Sequence, residues 1–201
     1  MKKVKKIGIM GGTFDPIHYG HLVTAENARY RYGLDRVYFV PAYIPPHKQF
    51  KHVTPAEYRL MMTIMATVNN PAFVVSDLEI RRGGLSYTYD TVRAFKQELG
   101  DDVEVYFITG ADAIIELTQW MKIEELAREC HFIGATRPGY HLGVKLPDYL
   151  LQSVSFMEVP ALAISSTDVR RRVREGAPIH YLVPETVEMY IRKNGLYLEQ
   201  E

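Results

Sequence analysis

The 201-residue chain is 47% hydrophobic, enough to bury one substantial core, and its length asks for no second domain over 1–201. Twenty-four basic residues balance twenty-four acidic ones, so no global field holds a nucleic-acid backbone, and no nucleic-acid partner is expected. The single cysteine, Cys130, cannot close an internal disulfide, and the apolar run Ile7 to Met10 is too short for a signal core or membrane span. A reducing, cytoplasmic setting away from membranes is the expectation.

In chain order, residues 4–10 read as a strand, followed by Gly11-Gly12 and a helix from His21 to Tyr32 that Gly33 closes. A strand at 37–41 leads through a proline-rich loop to a helix opening at Thr54-Pro55, with Glu57 spaced for a capping box. A third strand is expected at 73–77, then a turn at Arg82-Gly83-Gly84, a helix from Thr88 to Leu99 and a strand at 103–109 that Gly110 breaks. Helical segments to Trp120 and to Glu129 precede a strand at 131–136, the turn Arg137-Pro138-Gly139 and a last strand at 154–159. Helices at 166–175 and 184–193 finish the chain, packed onto the same domain. Strands alternating with helices in this way predict an α/β fold, Rossmann-like and doubly wound, with a mainly parallel sheet and helices on both faces. Ligands of such sheets lie beyond the carboxyl ends of the strands, where strand order reverses.

The segment GGTFDPIHYGHL (11–22) leaves the first strand and opens the first helix. Gly11 and Gly12 allow backbone N–H groups to approach a phosphate, and His18 and His21, three apart, can both face an anion at the positive end of that helix. A metal-holding pair lacks an obvious third ligand, and a plain glycine turn with two surface histidines remains the bland account of the glycines alone. In ISSTDVRRRV (164–173), Ser165 or Ser166 can cap a helix, and arginines close to its start invite an anion there; Arg171, Arg172 and Arg174 read as a solvated face. Asp112, just after the strand expected beside the first, would reach the switch-point crevice or simply cap a helix. Lys48, taken alone, reads as a solvated lysine, and Trp120 as a core residue.

GGTFDPIHYGHL resembles the HxGH signature of the nucleotidylyltransferase superfamily, in the form found in bacterial nicotinate-nucleotide adenylyltransferases. PPHK (45–48) resembles the family's lysine loop, and SSTDVR (165–170) its second fingerprint, SSTxxR. The resemblance runs from Ile7 to the terminal NGLY (194–197). It implies transfer of an adenylyl group from ATP to nicotinic acid mononucleotide, with His18, His21, Lys48 and Arg170 as the catalytic set. Gly11, Gly12, Thr13, Phe14, Asp15, Ser165, Ser166, Thr167 and Arg137 would contact ATP. Tyr87, Thr88, Gly110, Asp112 and Trp120 would hold the mononucleotide, the indole stacking on the pyridine ring. Magnesium would arrive with ATP, with no metal ligands from protein side chains. Two departures stand out: Ala42, where many relatives carry Asn, and Met121, where many carry Tyr.

The nucleophile is already an anion, so alignment and charge neutralisation suffice for in-line attack on the α-phosphorus, and no general base is required. The alternatives kept open are another HxGH enzyme, acting on nicotinamide mononucleotide or phosphopantetheine, and a nucleotide sensor without turnover. No heptad or apolar tail marks a subunit interface, and a homodimer is the assembly entertained.

Overall fold

The structure, a computed structural model, describes residues 5–46, 53–139, 146–160 and 162–198. Six strands, β1 (Lys6–Gly12), β2 (Arg36–Pro41), β3 (Phe73–Val75), β4 (Glu104–Gly110), β5 (Cys130–Thr136) and β6 (Val154–Glu158), form one sheet in the order β3-β2-β1-β4-β5-β6. Every pairing between them is parallel. Strand order reverses between β1 and β4, so the crevice there is the expected ligand position of a doubly wound sheet.

The helices are α1 (Tyr19–Tyr32), α2 (Ala56–Thr67), α3 (Leu78–Arg82), α4 (Thr88–Leu99), α5 (Ala111–Ile115), α6 (Ile123–Glu129), α7 (Asp148–Leu151), α8 (Ser166–Arg174) and α9 (Glu185–Lys193). Period-two alternation divides the sheet between two cores. Ile108, Ile133 and Met157 meet α1, α2, α8 and α9 through Ala25, Met62, Val169 and Val187. Ile9, Val105, Phe107 and Phe132 meet α4 to α7 through Val92, Ile114, Leu126 and Leu150.

The short helices α3 and α7 were not expected from periodicity, since five and four residues are too few to display it. The anticipated capping box at Thr54 and Glu57 does not form. Pro55 is the N-cap residue of α2, and both backbone groups of Thr54 are taken elsewhere: its N–H by the Asp15 carboxylate and its carbonyl by Arg59. α1 begins two residues earlier than expected and ends at Gly33, whose φ of 63° needs no Cβ penalty to close the helix.

Candidate active site

A cleft of about 320 Å³ opens at the carboxyl ends of β1, β4, β5 and β6. Gly11, His18, Gly20 and His21 line one side, Gly110 and Arg137 the other, and Val159, Pro160, Leu162 and Ile164 an apolar wall. That wall comes from the exit of β6, which the sequence reading passed over because small apolar residues in a loop carry no chemical signal.

His18 is the N-cap of α1, 7% exposed, and its ring stacks on that of His21 with centroids 3.8 Å apart. Burial lowers the His18 pKa to about 4, and burial together with the neighbouring His18 lowers that of His21 well below the usual histidine value. Both rings are therefore neutral at physiological pH. The backbone N–H of His18 donates to Nδ1 of His21 at 3.2 Å. An accepting Nδ1 carries no hydrogen, so the neutral His21 ring presents its single proton on Nε2 as a donor. Phe14 stands edge-on to His21 with centroids 5.1 Å apart and holds the ring from behind. Gly20 is required by the same packing: a Cβ there would lie 3.0 Å from Nδ1 and Cε1 of His18.

The second fingerprint is fastened directly to this loop. Ser165 caps α8 by accepting from the Asp168 N–H, at 3.1 Å. Ser166 Oγ donates to the Pro16 carbonyl at 2.9 Å, and Arg170 Nη1 donates to the Asp15 carbonyl at 2.9 Å. The first turn of α8, whose N–H groups have no intrahelical acceptor, thus stands against the strand-to-helix loop of the first fingerprint, alongside Thr167.

The solvated-face reading of Arg171, Arg172 and Arg174 holds, and two motif side chains turn inward. α8 is nine residues long, so Arg171, Arg172 and Arg174 occupy its last turn, where the helix dipole favours them, and Asp168 and Glu175 pair with the first two. These arginines are no argument for an anion. Asp15 is 5% exposed and its carboxylate is engaged internally, accepting from the Tyr197 hydroxyl at 2.7 Å and the Thr54 N–H at 3.2 Å, so its side chain supports the loop. Phe14 likewise is 2% exposed, with its ring between His21 and Phe39, at a φ of 49° that an aromatic residue adopts only under constraint.

The residues expected to hold the mononucleotide are gathered less tightly. Tyr87 is the N-cap of α4 and Thr88 its first residue, in a turn tied to the exit of β2: Tyr43 N–H donates to Ser86 Oγ, and Ser86 N–H to the Ile44 carbonyl, both at 2.9 Å. Asp112 is exposed in the first turn of α5, where Gly110 is the N-cap, so the capping account of this aspartate fails. Trp120 is half-buried, edge-on to Phe107 and Phe132 at 5.6 and 6.1 Å between centroids, part core and part open wall. Gly11, Gly12 and Thr13 form the end of β1 and the turn after it. Ala42 is buried and acts through its backbone, donating to the Gly12 carbonyl at 2.9 Å and accepting from Arg59. Lys48 lies outside the described residues. Among the described residues, no group of three or more His, Cys, Asp or Glu side chains is placed to hold a metal ion, and no helix is long and apolar enough to cross a membrane.

A reversing parallel sheet, an HxGH turn and a capped helix against it define the class of nucleotidyltransferases, and the cytidylyltransferase-like family model matches residues 9–172. A Moorella thermoacetica protein named as a probable nicotinate-nucleotide adenylyltransferase is 57% identical over 96% of this chain and 91% of its own. A Thermoanaerobacter sp. protein of the same name is 50% identical over 100% and 98%. The chain belongs to the nicotinate-nucleotide adenylyltransferase family, a family of nucleotidyltransferase enzymes. Its fold matches that of a Plasmodium falciparum nicotinic acid mononucleotide adenylyltransferase complexed with NaAD, with a TM-score of 0.76 and 25% identity over 96% of this chain and 97% of that one.

Proposed function

We propose that this enzyme transfers the adenylyl group of ATP to nicotinic acid mononucleotide, forming the acid dinucleotide and pyrophosphate. One observation carries the reading: α8 is fastened to the HxGH loop through Ser166 and Arg170, and the two neutral imidazoles of that loop line a cleft at the switch point that Ile164, just ahead of the α8 cap, also lines. A triphosphate lying there would meet backbone N–H groups of the first turn of α8 and the Nε2 proton of His21.

The mononucleotide phosphate would attack the α-phosphorus in line, forming one P–O bond as the bond to pyrophosphate breaks. Donors already in place stabilise the charge gathering on the transferred group, a contribution of about 3–4 kcal/mol for a single preorganised donor. A neutral imidazole leaves the incoming phosphate to supply the charge. Arg170 and Lys48 would steady the leaving pyrophosphate. Magnesium would travel with ATP, its ligands phosphate oxygens and water, and its chemistry would be to screen the triphosphate charge. On the far side, Tyr87, Thr88, Asp112 and Trp120 would receive ribose and pyridine ring. The likeness to the relatives' names supports the acid mononucleotide as acceptor.

Pyrophosphate release, measured with ATP and each of nicotinic acid mononucleotide, nicotinamide mononucleotide and phosphopantetheine, tests the assignment. The acid mononucleotide is expected to give the highest kcat/KM. Faster turnover of either rival would move the enzyme to another substrate, and turnover with none would make it a sensor.

A further inference from the structure

The sequence gives no reason to single out Arg59, one arginine on an amphipathic helix, yet it is 1% exposed. Its Nε donates to the Thr54 carbonyl at 2.7 Å, Nη1 to the carbonyls of Thr13 at 2.8 Å and Ala42 at 2.7 Å, and Nη2 to that of Tyr43 at 3.1 Å. Those four carbonyls belong to three separate segments: the turn after β1, the exit of β2 and the approach to α2. Burial lowers the Arg59 pKa, while the nearby Asp15 and Tyr197 oppose that shift. A guanidinium remains charged in such a setting.

Two further bonds give this arrangement its reach. The Tyr43 N–H, on the peptide whose carbonyl Ala42 offers to Arg59, donates to Ser86 Oγ beside Tyr87 and Thr88. Asp15, two residues after Thr13, is gripped by Thr54 and by Tyr197, and its own carbonyl takes Arg170. One side chain thus joins the loop of His18 to the turn that opens α4. In the proposed reaction these two segments hold the two substrates.

We propose that Arg59 is a positioning residue that sets the distance between the nucleotide half and the mononucleotide half of the site, with the Asp15–Tyr197 pair as its second anchor; this rests on the function proposed above. In-line transfer is sensitive to that distance, since a displacement of about 1 Å costs about a hundredfold in rate. The contacts each substrate makes within its own half do not involve Arg59. Its loss therefore acts on kcat more than on either KM. Lysine cannot substitute, because one ammonium does not span four carbonyls in a planar fork.

The test compares Arg59→Lys, Arg59→Met and Tyr197→Phe with the wild type by steady-state kinetics, alongside circular dichroism and thermal melting. The Arg59 variants are expected to lose about 30- to 100-fold in kcat per folded molecule, with each KM within about threefold. Tyr197→Phe keeps the ring and removes one hydroxyl, with an expected loss of about three- to tenfold in kcat. Combined with Arg59→Lys it should cost less than the product of the two, because both hold the same loop. Wild-type kcat in folded variants, with only the melting temperature lowered, would overturn the proposal; if the Arg59 variants do not fold, wild-type kcat in Tyr197→Phe overturns it alone. An inactive wild type would instead defeat the proposed function, and this inference with it.

Discussion

The two halves of the cleft are built in opposite ways. On the nucleotide side, His18, Phe14 and Asp15 are buried, Asp15 is bonded to Thr54, Arg170 and Tyr197, and His21 is fixed by a backbone donor and an aromatic edge. On the mononucleotide side, Asp112 is exposed, Trp120 is half-buried, and the intervening elements are a five-residue helix and a single 3₁₀ turn. Donors that must meet a transition state gain from rigidity fixed before the substrate arrives. A ring-binding wall gains little from it, because stacking tolerates small adjustments. Under the proposed function, the difference assigns chemistry to the overdetermined half and selectivity to the open one.

His18→Ala gives the sharpest break. It should lower kcat by about a hundredfold or more while the fold survives, measured as pyrophosphate release against an unchanged circular dichroism spectrum. A folded variant with normal turnover would remove the proposed role. Next in size is a pH effect confined to the rigid half. The His18 pKa falls from 6.5 to about 4 on folding, so between those values the unfolded chain binds a proton that the native state refuses. Stability is then fully present above pH 6.5 and declines as the pH drops toward 4, by about 3 kcal/mol from this one group. His18→Gln should flatten that part of a melting-temperature profile; parallel curves for variant and wild type would show that the ring is not the group responsible.

The open half should respond more mildly and in a different constant. Trp120→Ala is expected to raise KM for the mononucleotide about 5- to 30-fold, with the ATP KM little changed, by initial-rate kinetics with each substrate varied in turn. Equal shifts in both constants would assign the indole to the core formed with Phe107 and Phe132. The smallest effect belongs outside both halves: Arg171→Ala breaks exposed pairs with Asp168 and Glu175 and should change stability by no more than about 0.5 kcal/mol, with kcat unaltered. A clear fall in kcat would add Arg171 to the phosphate-binding set.

The sheet was legible because buried strands and glycine-closed helices leave strong periodic marks, and the two fingerprints because their chemistry is compressed into a few consecutive residues. What escaped was long-range. Arg59 looks like any surface arginine until the segments around Thr13, Ala42 and Thr54 close over it. That the Asp15 carboxylate and the Phe14 ring turn inward was equally hidden, since motif membership does not say whether a side chain turns outward or supports its neighbours from within. Arg171, Arg172 and Arg174 were readable as a solvated face because the stop at Gly176 fixes the end of α8 and so puts them in its last turn.

The Tyr197 hydroxyl reaches Asp15 across 182 positions of sequence. During synthesis the first fingerprint leaves the ribosome long before its distant anchor has been translated. A nascent or prematurely released chain lacking residue 197 would carry both fingerprints with the Asp15 carboxylate only partly satisfied. Translation through residue 197 is therefore needed before this loop acquires all its supports.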